Sequence, residues 1–229
     1  MQIIPVIDLK DGYVVHAVRG NRCGYKPIRS RLCTSSSVQD IINAFLELYP
    51  FKIIYIADLN ALTGTGHHIE QIGEVLTHYP ETVFWVDAGF DQIADQHARL
   101  SNCVRVIGSE SLQEYDLQRL NTFDRDFILS LDFSGNDLLG VAQLHDDPSI
   151  WPKTIIIMTL SRVGSNQGPD FEKLTEYRER YATKKLVAAG GIRNRQDLER
   201  LKKAGIHYAM IASALHTGSI TGEDIIAIA

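Results

Sequence analysis

The chain has 229 residues, 45% hydrophobic and 22% charged, a globular composition with room for one large domain or two small ones. Lys plus Arg number 23 against 28 Asp plus Glu, a net charge of -5 without a basic block, which argues against nucleic acid as a partner. The opening MQIIPVIDLKDG puts Asp8 and Lys10 where a signal sequence needs an apolar run, and no stretch approaches the length of a membrane span, so a cytoplasmic location away from the membrane is expected.

Short β-branched, apolar runs recur along the chain, each ending in a small, hydroxyl or acidic residue. The first is Ile3 to Asp8, followed by a long loop and a segment from Ser37 to Tyr49 whose apolar spacing and serine cap predict a helix. Ile53 to Asp58, Thr82 to Asp87, Val104 to Ser109 and Phe127 to Asp132 follow, with helices expected over His67 to Tyr79 and Gln113 to Leu120. The connection from Ser134 to Lys153 carries Gly, Asp and Pro but no helical stripe, so a fifth helix is expected to be missing or rudimentary. Thr154 to Thr159, Lys185 to Gly190 and Tyr208 to Ser213 complete eight runs, separated by helices over Pro169 to Tyr181 and Asn194 to Ala204, the last with Asn194 as N-cap and Gly205 just beyond. Runs such as IIYIAD and TIIIMT suit parallel strands covered on both faces.

The pattern is βαβα, with no linker or low-complexity tract to divide it, and a single domain over residues 1–229 is the economical reading. An internal repeat sharpens it. IGSESL at Ile107 matches IASALH at Ile211 at nearly the offset that separates AGF at Ala88 from GGI at Gly190, which predicts a (βα)8 barrel made of two related halves. An open doubly wound sheet would normally carry GxGxxG after its first strand, and IDLKDGY lacks it. Cys23, Cys33 and Cys103 match no metal or redox spacing and read as free thiols; His67 and His68 have no third ligand at a useful distance in sequence, so no metal is expected.

In such a barrel the C-terminal strand ends form the mouth, and the runs end in Asp8, Asp58, Asp87, Asp132 and Thr159. Buried carboxylates are costly unless partnered, so this ring of acids points to a site, although Asp58 would serve equally well as a helix cap. The turns AAGGIR and IASAL place Gly190, Gly191, Ala212 and Ser213 on adjacent strands, where small residues let backbone N–H groups approach a phosphate.

With these residues the sequence resembles the ribotide isomerase of histidine biosynthesis and its relative, the cyclase subunit of imidazole glycerol phosphate synthase. The resemblance is carried by PVIDLKDGYVVHAVRG, SRVGSNQGPD, AAGGIRNRQDLERL and IASALHTG and runs nearly end to end. It implies an aldose-to-ketose Amadori rearrangement without a cofactor, with Asp8 as base, Asp132 as its acid or base partner and Thr159 positioning the substrate. Arg19 in the first loop, Ser165 in the sixth, and Gly108 and Ser109 after the fourth strand would be further substrate contacts.

Two positions depart from the isomerase pattern. Val163 stands where the isomerase has an aspartate before the residue matching Gly164, which removes a proton donor; Asp87 stands near where the isomerase grips a second phosphate, and like charges repel there. The combination resembles a paralogous branch of the family in archaea and methylotrophs, which implies a role outside histidine biosynthesis, in the making of C1-carrier cofactors. The expected ligand is a small phosphorylated metabolite with a hydroxylated or cationic far end, held by Asp87 and Asp58. The histidine-pathway isomerase itself and a catalytically silent, phosphometabolite-binding barrel are the competing readings, and the sequence leaves the oligomeric state open.

Overall fold

The eight apolar runs form eight parallel strands, seen in a computed structural model that describes residues 1–90, 100–120 and 127–229. They are β1 (Gln2–Lys10), β2 (Ile53–Asp58), β3 (Val83–Asp87), β4 (Cys103–Gly108), β5 (Ile128–Ser134), β6 (Thr154–Thr159), β7 (Lys185–Ala189) and β8 (Tyr208–Ile211). Each pairs with the next in the chain, and β8 returns to β1 with Gln2 opposite Tyr208 and Pro5 opposite Ile211. The sheet is thereby closed into a (βα)8 barrel.

Alternation of side chains along each strand sorts them into two cores. Ile4, Trp85, Val106, Ile128, Ile156 and Val187 fill the lumen. Ile7, Ile54, Ile56, Phe84, Ile107 and Ile155 face outward against the helices. Burying each such side chain stabilises the fold by about 2 kcal/mol before the entropy of ordering it is counted.

The helices start where their caps dictate. Ser37 Oγ accepts the N–H of Asp40 at 3.2 Å and opens the helix Val38–Leu48, which buries Ile41, Ile42 and Phe45. Asp170 and Asn194 open Phe171–Arg180 and Arg195–Lys203 in the same way, each accepting the N–H three residues on. Losing one such cap costs about 1 kcal/mol. The helix of the second connection is Ile69–His78, close to its expected span. The segment expected as a helix from Gln113 begins as a 3-10 turn, Glu114–Asp116, and runs into a short helix, Leu117–Leu120.

The fifth connection is rudimentary, as its composition predicts. It holds a two-residue strand, Asp137–Leu138, folded back antiparallel on β5, then a short helix, Ala142–Asp146, and a 3-10 turn, Pro148–Ile150. Trp151 covers what a longer helix would have covered: it is 1% exposed and its Nε1–H donates to the Leu144 carbonyl at 2.6 Å. No helix among the described residues is long and apolar enough to cross a membrane.

Candidate active site

A cavity of about 300 Å³ opens at the C-terminal ends of the strands. The register assembles its floor. Asp8 lies beside Ala57 and Ala57 beside Asp87, while on the other side Asp132 lies beside Met158, Met158 beside Ala189 and Ala189 beside Met210. All of these face the lumen side and line the cavity.

One half of the mouth is acidic. Asp132 is 4% exposed; the Ser130 hydroxyl donates to its Oδ1 at 2.6 Å, and the Glu110 N–H donates to Oδ2 at 3.3 Å. Burial, reinforced by the neighbouring Glu110 and Asp87, pushes its carboxyl up to about 8. Asp87 is held by the Tyr55 hydroxyl, which donates to Oδ2 at 2.9 Å, and burial lifts it to about 6. Asp8 is raised to about 7 by burial, against the pull of the Arg22 guanidinium. Gly108 separates two of the acids: a Cβ there would lie 2.9 Å from Asp132 Oδ2 and 3.7 Å from Asp87 Oδ2.

The other half is built of small residues. Gly190 and Gly191 have φ of +98° and +80°, a conformation that favours glycine, and a Cβ at Gly191 would lie 2.4 Å from the Gly168 carbonyl oxygen. Ala212 and Ser213 follow on β8, and all four line the cavity. His16 reaches this end from the strand Tyr13–His16, with Nε2 3.1 Å from Ser213 Oγ. Val163 packs beside the turn, its Cγ2 3.5 Å from the Cβ position of Gly190.

Several residues singled out in the sequence lie elsewhere. Asp58 and Thr159 end their runs, but both are one residue out of phase with the lumen and point into the outer layer. The Asp58 carboxylate is fully buried and accepts the N–H groups of Ala61 and His68, so the capping role prevails over ligand binding. Thr159 Oγ1 lies 3.4 Å from Asp170, and the β6 side chain that faces the cavity is Met158, which offers no hydroxyl. Arg19 does not line the cavity; its φ is +50° and its backbone N–H donates to the Val163 carbonyl at 2.8 Å. Ser165 is committed to its own loop, donating to the Arg162 carbonyl at 2.8 Å. Ser109 is fully buried and supports Asp132, whose N–H donates to its Oγ at 2.9 Å.

The sequence reading missed the arginine that does face the cavity. Arg22 sits in a 3-10 turn of the first loop, Arg22–Gly24, where the Lys10 ammonium donates to its carbonyl at 3.1 Å, and it makes an ion pair with Glu110. Tyr55, Glu110 and His16 were likewise missed. Tyr55 was detectable by counting inward positions back from Ala57, whereas Arg22, Glu110 and His16 meet the site only through loop folding. Among the described residues, no group of three or more His, Cys, Asp or Glu is arranged to hold a metal ion.

Fold and mouth together define a (βα)8 barrel with a cavity that is acidic on one side and lined by glycine turns on the other. The chain belongs to the histidine biosynthesis protein family, whose model matches residues 2–221. It is 32% identical to an uncharacterized protein of Methanocaldococcus jannaschii over 232 residues, 99% of this chain and 98% of that one. It is 25% identical over 246 residues to the 1-(5-phosphoribosyl)-5-((5-phosphoribosylamino)methylideneamino) imidazole-4-carboxamide isomerase of Listeria monocytogenes, 99% of this chain and 97% of that one. The isomerase of the same name from Halothermothrix orenii is 26% identical over 252 residues, 97% of this chain and 98% of that one.

Proposed function

We propose that the protein isomerises a small phosphorylated sugar or aminosugar by acid-base chemistry, outside histidine biosynthesis, in the C1-carrier setting that the sequence resemblance implies. The observation that carries this reading is the pairing of Asp8 and Asp132 in one cavity with the Gly190–Gly191 turn. Phosphate would be held at that turn and at Ala212–Ser213. Asp132, raised to about 8, is the protonated partner near neutral pH and donates to the ring oxygen as the sugar opens; Asp8, raised to about 7, is sufficiently ionised to take the proton from C2. A later transfer of protons back through the same pair restores both groups.

Two substitutions support separation from the histidine pathway. The isomerases it resembles act, by their name, on a compound with two phosphoribosyl groups. Here Asp87 faces the cavity where a second anion would lie, and Val163 supplies no proton. Met158 and Val163, both apolar in the cavity wall, favour as a second reading a barrel that binds a phosphometabolite without transforming it.

Deuterium wash-in separates these readings. Ribose 5-phosphate and phosphoribosylamine adducts are incubated with the protein in D2O and followed by NMR at C2. Exchange in the wild type and its loss in Asp8→Asn is the expected result. Binding of these compounds without any exchange would favour the silent barrel, and turnover of the two-phosphoribosyl ribotide would return the protein to the histidine pathway.

A further inference from the structure

The two halves of the barrel carry the same turns with opposite charge. The repeat aligns Ala88–Gly89 with Gly190–Gly191 and Gly108–Ser109 with Ala212–Ser213, so Asp87 stands where the other half has Ala189, and Glu110 where it has Ala214. In both cases a carboxylate replaces a methyl group beside a turn of the phosphate-binding type. The consequence is local and visible: the Gly89 N–H, counterpart of the Gly191 N–H, donates to Asp87 Oδ1 at 3.5 Å. A side chain of the protein already takes the place of the anion.

The same half already receives a cation. The Arg22 guanidinium, delivered by the first loop, pairs with Glu110 and is felt by Asp87 and Asp8. Among the described residues, the Arg22 guanidinium is set against four carboxyl groups, Asp8, Asp87, Asp132 and Glu110, around the acidic half of the cavity. Gly108 lets two of these acids crowd together, since a Cβ there would lie 2.9 Å from Asp132 Oδ2 and 3.7 Å from Asp87 Oδ2. An anion entering beside these acids would be repelled, whereas a nitrogen cation would offset their negative charge and add a charge-assisted hydrogen bond.

We infer that the β3–β4 side of the mouth is a cation subsite, and that the ligand is a phosphomonoester with an ammonium or amidinium group at its other end. This rests on the proposed phosphate site at Gly190–Gly191 and adds to it the chemistry of the opposite end. The half-barrel symmetry that would hold two anions has become a phosphate subsite facing a cation subsite.

Isothermal titration with ω-aminoalkyl phosphates, from propyl to hexyl, beside ω-hydroxyalkyl phosphates of the same lengths, tests the inference without knowledge of the natural substrate. At the best length the amine is expected to bind at least about tenfold more tightly, as a charge-assisted hydrogen bond allows. Asp87→Ala, which copies the residue of the other half, is expected to lose this preference and to bind the alkane bisphosphate of that length more tightly than the wild type does. If Asp87→Ala does not melt cooperatively, Asp87→Asn gives the same comparison of amine with alcohol. Equal binding of amine and alcohol by the wild type, both displaced by inorganic phosphate, would overturn the cation subsite and leave the phosphate site standing. A preference retained in both Asp87 variants would overturn it too, and failure of every phosphate, inorganic phosphate included, would remove both readings together.

Discussion

His68 Nε2 accepts the backbone N–H of Gly12 at 2.9 Å, a contact spanning 56 residues of chain. A backbone N–H only donates, so Nε2 carries no proton, and the Nδ1 proton is directed at Asp58 Oδ1, 2.8 Å away. Asp58 Oδ2 accepts the N–H of His68 itself at 2.6 Å, and Asn60 exchanges two hydrogen bonds with Asp11. The end of β2 thus grips the Asp11–Gly12 turn, which leads the first loop over the cavity.

Replacing His68 by Ala leaves the buried Asp58 carboxylate and the Gly12 N–H each short of a partner. A loss of about 1–3 kcal/mol is expected, read from urea denaturation of variant and wild type. Unchanged stability would show that this clamp contributes nothing to the fold.

The acids of the mouth should make stability fall as pH rises. Asp87, Asp8 and Asp132 are raised from 3.8 to about 6, 7 and 8, so between about pH 4 and 8 the folded state holds more protons than the unfolded one. Stability from these groups is therefore greatest at the acidic end of that window and is lost as each deprotonates. Asp132→Asn, which cannot ionise, is expected to melt at higher temperature than the wild type at pH 8 and at nearly the same temperature at pH 5. A variant less stable at pH 8 would mean that the hydrogen bonds of the carboxylate outweigh its burial.

Gly191→Ala should be poorly tolerated. Its φ of +80° is unfavourable for alanine, and the new methyl would press on the Gly168 carbonyl oxygen at 2.4 Å. A loss of about 1–3 kcal/mol or more is expected in thermal melts. The same substitution should weaken inorganic phosphate binding, since the turn must move to relieve the contact.

If the proposed isomerisation holds, its rate should follow a bell in pH. The rising limb belongs to ionisation of Asp8 near 7 and the falling limb to loss of the Asp132 proton near 8, so the optimum lies between them. Asp8→Asn should lower turnover by about 10²–10⁴-fold, the ordinary contribution of a general base. A rate independent of pH from 6 to 9 would remove both carboxyls from the chemistry.

Much of the fold was legible because its signals are local. Apolar runs gave the strands to within two residues at either end, Ser37 and Asn194 announced their helices, and the poverty of the fifth connection was plain in its Gly and Pro content. Which candidate side chains line the cavity was legible where the phase of a strand agreed with the position of its last residue, as at Asp8, Asp87 and Asp132. It failed at Asp58 and Thr159, where the run ends one residue past the inward position; counting in twos from Tyr55 and Ile156 leads instead to Ala57 and Met158. Arg22 and Glu110 lie 88 residues apart and meet only because two loops converge, which no local pattern encodes.

Closure of the sheet has a kinetic meaning. The β8 strand, Tyr208–Ile211, must find Gln2–Pro5 at the far end of the chain, a contact among the most distant in sequence that the molecule makes. Such pairings pay their loop-closure entropy before they return any stability, so they tend to form late. Asp8, carried by β1, meets Ser213 across the cavity only after this event. A half-folded chain would therefore display its carboxyls to water without a pocket around them, and ligand affinity should appear in refolding only with the final, slowest phase.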